Sequence, residues 1–237
     1  MKAVKIVHKA IPCIARIVRR WFLLLVVLWV LLVLYPNPTK LVLSIKRVFN
    51  PEIDTAAVER LADQLPDNPA DIEQEVIRLM PYKCDWELYN MPWYTPTARE
   101  ILANGAGDCK ARALILASVL DVKGIEYSIK LSITHMWVAY DDKPENTMEN
   151  SDVQYFQKDP KTGQSSLQLP AISFPESVKN VKIVSSGFWS PMPLYKKLLL
   201  TIGLTTLFVL RFTLLRKKRA SYKEPSIATM PREIESA

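Results

Sequence analysis

Two long apolar runs limit what this chain can fold into. The first is Trp21–Tyr35 and the second is Leu198–Leu215, and the 237-residue chain concentrates its excess of hydrophobic residues there. A helix needs about 20 apolar residues to cross a bilayer, so each run is somewhat short and needs support from its flanks. We therefore predict transmembrane helices at 21–35 and 194–215, with one domain, 36–193, between them.

Basic residues cluster outside these two runs. Segment 1–20 holds six basic residues and no acidic residue, and Arg216–Arg219 is entirely basic. Basic flanks of membrane helices stay on the cytoplasmic side, so we predict cytoplasmic tails at 1–20 and 216–237, the second one disordered. The domain would then lie on the outer side of the cell membrane. Because the formal net charge of +7 arises from the tails, the sequence argues against nucleic acid as a partner.

Each apolar run has an alternative interpretation. The first could be a cleaved signal peptide, but Leu34–Pro38 contains no pair of small residues at which a signal peptidase would cut. The second could be a buried core helix, but the basic residues directly after it favour a membrane span.

The predicted domain begins with two helices. Asp54 or Thr55 could cap a helix over Ala56–Leu65, and Asn68-Pro69 precedes a second helix over Asp71–Met80. The last part of the domain is rich in proline and polar residues, so we predict loops and short strands there.

A cysteine stands where the next helix is predicted to begin. Asp108 is a favoured N-cap residue, it follows Gly107, and good helix formers follow Cys109. Only the thiolate form of cysteine is strongly nucleophilic, and a helix N-terminus and the charge of Lys110 both favour that form. The N–H groups of the same helix end could hold a developing oxyanion. We therefore predict that Cys109 is a nucleophile.

His135 is the one histidine between the two apolar runs. It lies in a segment, 125–140, that is predicted to form strands because apolar and polar residues alternate before it and strand-favouring residues follow it. An imidazole beside a thiol can act as its general base and then as a general acid. We therefore predict that His135 is the partner of Cys109.

The residue that orients His135 depends on how the chain returns after a polar, acidic loop. A tight turn places Asn150 opposite His135, and a shift of one residue places Glu149 there. A longer loop places Asp159 opposite His135 instead. A carboxylate would hold the imidazole better than an amide would, but the residues alone leave the register open.

Three motifs together resemble the transglutaminase-like superfamily. They are Gly107-Asp108-Cys109 at a helix start, His135-Met136-Trp137 on a strand, and Asp159-Pro160 at the end of a later strand. The segment Trp93–Leu102 is similar to the one that leads into the nucleophile helix in bacterial members, so the resemblance covers about Tyr82–Pro160. It implies an α+β domain with a papain-like core, in which the nucleophile helix packs on a small antiparallel sheet.

The resemblance also implies a role for each site residue. Cys109 would be the nucleophile, His135 the general base and acid, and Asp159 the orienting acid. The stretch from His135 to Asp159 is long for the family, so other polar residues within it remain alternatives to Asp159. These are Glu149, Asn150 and Asp152.

With these roles, the chain is expected to be an enzyme that acts on amide bonds. Cys109 would attack a carboxamide or peptide carbonyl, His135 would protonate the leaving amine, and the thioester would pass to water or to an acceptor amine. The substrate would be a protein or peptide of the cell envelope, outside the cytoplasm and beside the lipid bilayer. The alternative function is a catalytically silent module, held at the membrane, whose cleft binds a peptide without cleaving it.

Cys84 is the other cysteine of the predicted domain. An oxidising compartment would permit a disulfide between Cys84 and Cys109, and that pairing competes with the catalytic hypothesis. We predict no cofactor, because the chain has no phosphate-binding loop, and no metal site, because the domain lacks a second histidine and a close pair of cysteines.

Overall fold

The computed structural model divides the chain into two compact units. It describes residues 20–132, 135–144, 149, 154–159, 161–168, 181 and 185–222. Leu34–Leu194 forms the domain, and the residues before and after it form the second unit. The predicted tail 1–20 lies almost entirely outside the described residues.

In the described residues, the second unit consists of two helices, α1 (Arg20–Leu34) and α8 (Leu194–Tyr222), that pack against each other. The indole N–H of Trp29 donates to the carbonyl of Leu199 (3.2 Å). A Cβ at Gly203 would lie 2.1 Å from the ring of Trp29, so only glycine allows the helices to approach this closely.

These two helices differ in their ability to span a membrane. Among the described residues, Leu194–Leu214 is the one helix that is long and apolar enough by itself. Arg20–Leu34 is about 22 Å long and passes the same test only together with the next helix. Two independent spans were predicted, but only one of the described helices qualifies as a span by itself. The first apolar helix stays short because the chain breaks at Pro36 and Asn37 caps a new helix.

Helix α8 also extends past the predicted boundary at 215. It continues to Tyr222, so the first residues of the tail that was predicted to be disordered are helical. Residues 223–237 of that tail lie outside the described residues.

Five helices precede the nucleophile helix in the domain. They are α2 (Pro38–Phe49), α3 (Thr55–Ala62), α4 (Pro69–Leu79), α5 (Asp85–Tyr89) and α6 (Ala98–Asn104). Helices α3 and α4 confirm the two predicted helices, and their caps are the predicted ones: Asp54 accepts from the N–H of Ala57 (3.0 Å) and Asn68 from that of Ala70 (2.9 Å).

Helix α7 (Cys109–Val122) forms the centre of the domain. Its residues from Ala113 to Leu120 are all buried, so it has no polar face and must be covered on every side. Helices α3, α4 and α6 cover it on one part of its surface, and strand β2 (Met136–Ala139) covers another. The N-terminal residue of α7 is consequently held by the core of the domain.

The sheet has four antiparallel strands in the order β2-β1-β3-β4. Their bounds are β1 Ser128–Leu131, β2 Met136–Ala139, β3 Phe156–Lys158 and β4 Ser165–Leu167. In this register Leu131 pairs with Met136 on one side of β1, and Ile129 pairs with Lys158 on the other. The described residues thus confirm an α+β fold with a small antiparallel sheet, whereas its papain-like character stays a prediction.

Candidate active site

Cys109 is the first residue of α7, as the sequence predicts. Asp108 caps the helix, and its Oδ1 accepts hydrogen bonds from the N–H groups of Lys110 (3.0 Å) and Ala111 (3.2 Å). Gly107 is required before the cap because a Cβ at this position would lie 2.3 Å from the Cβ of Ala111. This turn places the half-buried thiol at the N-terminus of a helix fixed in the core.

The cap narrows the choice of oxyanion donors at this helix end. The N–H groups of Lys110 and Ala111 already donate to Asp108, so they are not free to bind a developing oxyanion. The N–H of Cys109 is then the helix-terminal donor nearest to the thiol.

His135 stands directly before β2, at the turn from β1. The N–H of Ser132 donates to the His135 carbonyl (2.8 Å), and the N–H of His135 donates to Ser132 Oγ (3.1 Å). The imidazole stacks on the indole of Trp137, with centroids 5.9 Å apart and planes at 12°. Because β2 packs on α7, the imidazole lies in one cleft with the thiol of Cys109 and interacts with it there.

The acid that meets His135 is Glu149, one of the alternatives that the sequence leaves open. Its Oε1 lies 2.8 Å from His135 Nε2. The two side chains are only 19% and 16% exposed, so their contact is partly shielded from water. The structure therefore brings Cys109, His135 and Glu149 into one connected arrangement.

This arrangement favours the charged form of the imidazole. Burial lowers the pKa of His135, but hydrogen bonds and charge interactions with Cys109 and Glu149 outweigh burial and raise the pKa to about 9. Burial raises the pKa of Glu149, yet the contacts with His135 and Lys143 dominate and lower it. At neutral pH the site thus holds an imidazolium next to a carboxylate.

Lys143 holds the Glu149 carboxylate in place. Its Nζ lies 3.1 Å from Glu149 Oε2, and it also donates to Glu73 Oε1 (2.7 Å) and to the Val138 carbonyl (2.9 Å). Glu73 belongs to α4 and accepts a second bond, 2.6 Å long, from the Tyr140 hydroxyl. These contacts tie the segment that carries Glu149 to both the sheet and α4, and sequence reasoning missed them.

Asp159 does not reach His135. Its carboxylate accepts hydrogen bonds from its own turn, from the N–H of Lys161 (2.9 Å) and from the hydroxyl of Thr162 (2.7 Å). Strand β3 pairs with β1 and not with β2, so Asp159 lies beside Ser128, at the end of the sheet away from His135. The prediction that Asp159 lies opposite the imidazole is therefore wrong. Asn150 and Asp152, the other two alternatives, lie outside the described residues.

A buried ion cluster supports the start of α7. Lys110 is 6% exposed, and its Nζ contacts Asp108 and Asp85, the latter at 2.9 Å. Asp85 also accepts from the N–H of Tyr94 (2.8 Å). Lys110 therefore has a structural role in this cluster in addition to the predicted one, since its charge also interacts with that of Cys109.

Burial acts on the pKa values of this cluster. It raises the pKa of Asp85 to about 6, even though the charge of Lys110 and the bonds it accepts act in the opposite direction. Burial lowers the pKa of Lys110, but the charges of Asp108 and Asp85 outweigh it and the pKa is raised. Sequence reasoning missed this cluster because Asp85 and Lys110 are far apart in the chain.

A cleft of about 530 Å³ opens over the thiol and the imidazole. Aromatic residues form part of its walls, namely Tyr35, Tyr82, Trp86, Trp93, Tyr155 and Phe188. The second cysteine, Cys84, lines the same cleft and is a free thiol, as is Cys109. Burial raises the pKa of Cys84, and so does the hydrogen bond that its Sγ donates to Glu87 (3.0 Å). The two thiols of one cleft thus have different partners, an imidazole and a carboxylate.

Neither a metal site nor a known relative assigns a role to this cleft. Among the residues that the structure describes, no group of three His, Cys, Asp or Glu side chains could hold a metal ion. Compared with known proteins, the chain matches no family model, no curated protein and no solved structure.

The protonation of His135 can be tested by NMR. In a His8→Asn background His135 is the single histidine, so its titration is observed without overlap. We expect a midpoint of about 9, and Glu149→Gln should move it towards the ordinary value of 6.5 because the imidazolium loses a carboxylate. Asp159→Asn is the matched control and should leave the midpoint unchanged. A midpoint that responds to Asp159→Asn and not to Glu149→Gln would contradict this site geometry.

Proposed function

We propose that the chain is a membrane-anchored thiol enzyme that acts on amide bonds, with Cys109 as nucleophile, His135 as general base and acid, and Glu149 as the orienting acid. The observation that carries the proposal is the connected Cys109–His135–Glu149 arrangement at a helix N-terminus, inside a cleft. The motifs that resemble the transglutaminase-like superfamily support the same reaction class. Glu149 takes the place that the resemblance gave to Asp159.

The proposed reaction has two halves. The thiolate of Cys109 attacks the carbonyl carbon of a carboxamide or peptide bond, a C–S bond forms, and the N–H of Cys109 donates to the oxyanion. The imidazolium of His135 gives its proton to the leaving nitrogen as the C–N bond breaks. In the second half His135 takes a proton from water or from an acceptor amine, which attacks the thioester and restores the thiolate. Water gives hydrolysis, and an amine gives acyl transfer.

The cellular setting in this proposal is the cell membrane. Helix Leu194–Leu214 is long and apolar enough to span it, and Arg20–Leu34 supplies a second, shorter apolar helix that packs on α8. The basic residues of 1–20 and 216–219 favour cytoplasmic termini. The domain then faces protein or peptide substrates outside the cytoplasm.

Alkylation by iodoacetamide tests the proposal at the thiol. We expect Cys109 to react faster than Cys84 at pH 7, because the imidazolium of His135 stabilises its thiolate. His135→Ala should slow the reaction at pH 7 by about 30-fold, since an unassisted thiol is only a few per cent ionised at that pH. The rates are measured by mass spectrometry of the full chain in detergent, with Cys13→Ser to remove the cytoplasmic thiol.

Cys84 is the matched control within the same cleft. It lacks an imidazole partner and its pKa is raised, so it should react slowly at pH 7 and much faster above pH 9. If Cys109 followed the same profile as Cys84, or reacted only after reduction, the thiol would be unactivated or disulfide-bonded. That result would support the catalytically silent binding module in place of the enzyme.

A further inference from the structure

Helix α2 (Pro38–Phe49) has two apolar faces, and the domain buries only one of them. On the covered face, Ser44 is 0% and Val48 3% exposed. Beside that face, Arg47 donates to the hydroxyl of Tyr94 (3.2 Å) and to the carbonyl of Thr95 (3.3 Å). These contacts fix the rotation of α2 about its own axis.

The second apolar face is exposed. We call it the α2 stripe, and it consists of Val42, Ile45 and Phe49, which are 66%, 45% and 52% exposed. At the end of the stripe, the ring of Phe49 also contacts the ring of Phe156, with centroids 5.6 Å apart. Because the stripe residues follow one another at intervals of three and four, they lie in a line on one side of the helix. An aligned apolar stripe differs from the single exposed apolar residues that are normal on a protein surface, and it marks an interaction site.

The chain around α2 indicates which partner covers the stripe. Only Tyr35–Asn37 separates α2 from the end of α1 at Leu34. Three residues reach at most about 11 Å, so α2 must begin close to the point where α1 leaves the bilayer. The nearest extended apolar phase for a helix in that position is the boundary between lipid headgroups and acyl chains.

The charges of α2 fit the same partner. Lys46 follows Ile45 and is exposed next to the stripe, and the helix contains no acidic residue. A helix with an apolar stripe bordered by basic residues lies in the plane of a bilayer surface, with its apolar side chains in the lipid and its charges at the headgroups. Lipid therefore satisfies both the apolar and the basic part of this surface.

We propose that α2 lies in the outer interface of the membrane, with the α2 stripe inserted into lipid, so that the domain is held to the bilayer surface by this helix as well as by the spans. The inference rests on the membrane anchoring in the proposed function. It adds a lipid contact made by the domain itself, through a helix that also buries Ser44 and Val48 in the domain core.

Fluorescence quenching tests this contact on the full chain in lipid nanodiscs. Single cysteines at Val42→Cys and Ile45→Cys, in a background of Cys13→Ser, Cys84→Ser and Cys109→Ser, carry an environment-sensitive NBD label. Quenching is measured with a nitroxide lipid whose probe lies just below the headgroup, and separately with aqueous iodide. We expect the lipid nitroxide to quench both stripe positions several-fold more than it quenches a reference in water, and iodide to show the reverse.

Two reference positions make the outcomes distinct. Glu59→Cys, exposed on α3, reports water, and Leu198→Cys, 50% exposed on α8, reports lipid. If Leu198→Cys is quenched by lipid but the stripe behaves like Glu59→Cys, the inference is overturned and the anchoring stands. If Leu198→Cys also fails to respond to lipid, the anchoring itself fails. If the stripe is shielded from both quenchers, a second copy or another protein covers it and lipid is not its partner.

Discussion

His135→Ala is expected to slow turnover of an amide substrate by about 10²–10⁴-fold, and Cys109→Ala to abolish it. Cys109 forms the bond to the acyl carbon, so nothing replaces it. His135 has two tasks, since its charge stabilises the thiolate and its proton is needed by the leaving nitrogen. The proton is available at neutral pH because the pKa of His135 is raised to about 9.

Two donors with the same acyl group separate these tasks. A peptide p-nitroanilide has an amine leaving group that must be protonated, whereas the corresponding p-nitrophenyl ester releases a stable anion without a proton. We expect His135→Ala to slow acylation by the ester by about 30-fold, through loss of the thiolate alone, and by the anilide much more. Release of the chromophore gives both rates, and a hydroxylamine-sensitive mass increase on Cys109 identifies the thioester.

The orienting residues provide the controls for this experiment. Glu149→Gln should reduce the anilide rate more than the ester rate, because it lowers the pKa of His135 and removes the bond that orients the ring. Asp159→Asn should leave both rates unchanged, since its carboxylate is bound within its own turn. Equal losses for both donors in His135→Ala would contradict a role for His135 as a general acid.

Features that depend on neighbouring residues were predictable from the sequence, whereas features that depend on distant residues were not. The start of α7 was predictable because Gly107, Asp108 and Cys109 carry the whole signal for a capped helix, and the cap bonds join residues two and three apart. The caps of α3 and α4 were predictable for the same reason. Helix α2 was not predicted, although Asn37-Pro38 is a recognisable start signal for a helix. This signal directly follows the apolar run that ends at Tyr35.

The third member of the site depended on contacts that no local pattern encodes. The order of strands places β1 between β2 and β3, so a carboxylate on β3 cannot face a residue at the start of β2. Glu149 reaches His135 from a segment outside the strands, held there by Lys143 and Glu73. Glu73 precedes Lys143 by 70 residues, and a single sequence gives no sign that the two meet.

Lys110→Met is expected to lower the free energy of unfolding of the domain by about 3–5 kcal/mol. The substitution keeps a long apolar side chain but leaves Asp85 and Asp108 buried without a counter-charge, since the two carboxylates are only 5% and 7% exposed. Unfolding by guanidinium, followed by near-UV circular dichroism in detergent, measures the loss. Because Asp108 also caps α7, we expect the start of the nucleophile helix to loosen first.

A surface lysine is the control for the loss of charge. Lys161→Met breaks a 3.4 Å pair with Glu126, but the two side chains are 47% and 80% exposed. Water and salt screen such a pair, so the expected loss is below about 1 kcal/mol. The double variant Asp85→Asn with Lys110→Met should regain part of the stability, because one of the two stranded charges is gone.

The pH dependence of the Lys110→Met defect follows from the sign of the Asp85 shift. Burial raises the folded-state pKa of Asp85 to about 6, above its ordinary value, so the folded state takes up a proton more readily and this group favours folding increasingly as the pH falls through 6 towards 4. Loss of Lys110 removes a charge that lowers this pKa, so the pKa rises further in the variant. The defect should therefore be largest at pH 8 and smaller at pH 5. A defect that is independent of pH, and no larger than that of Lys161→Met, would show that the cluster does not carry buried charge.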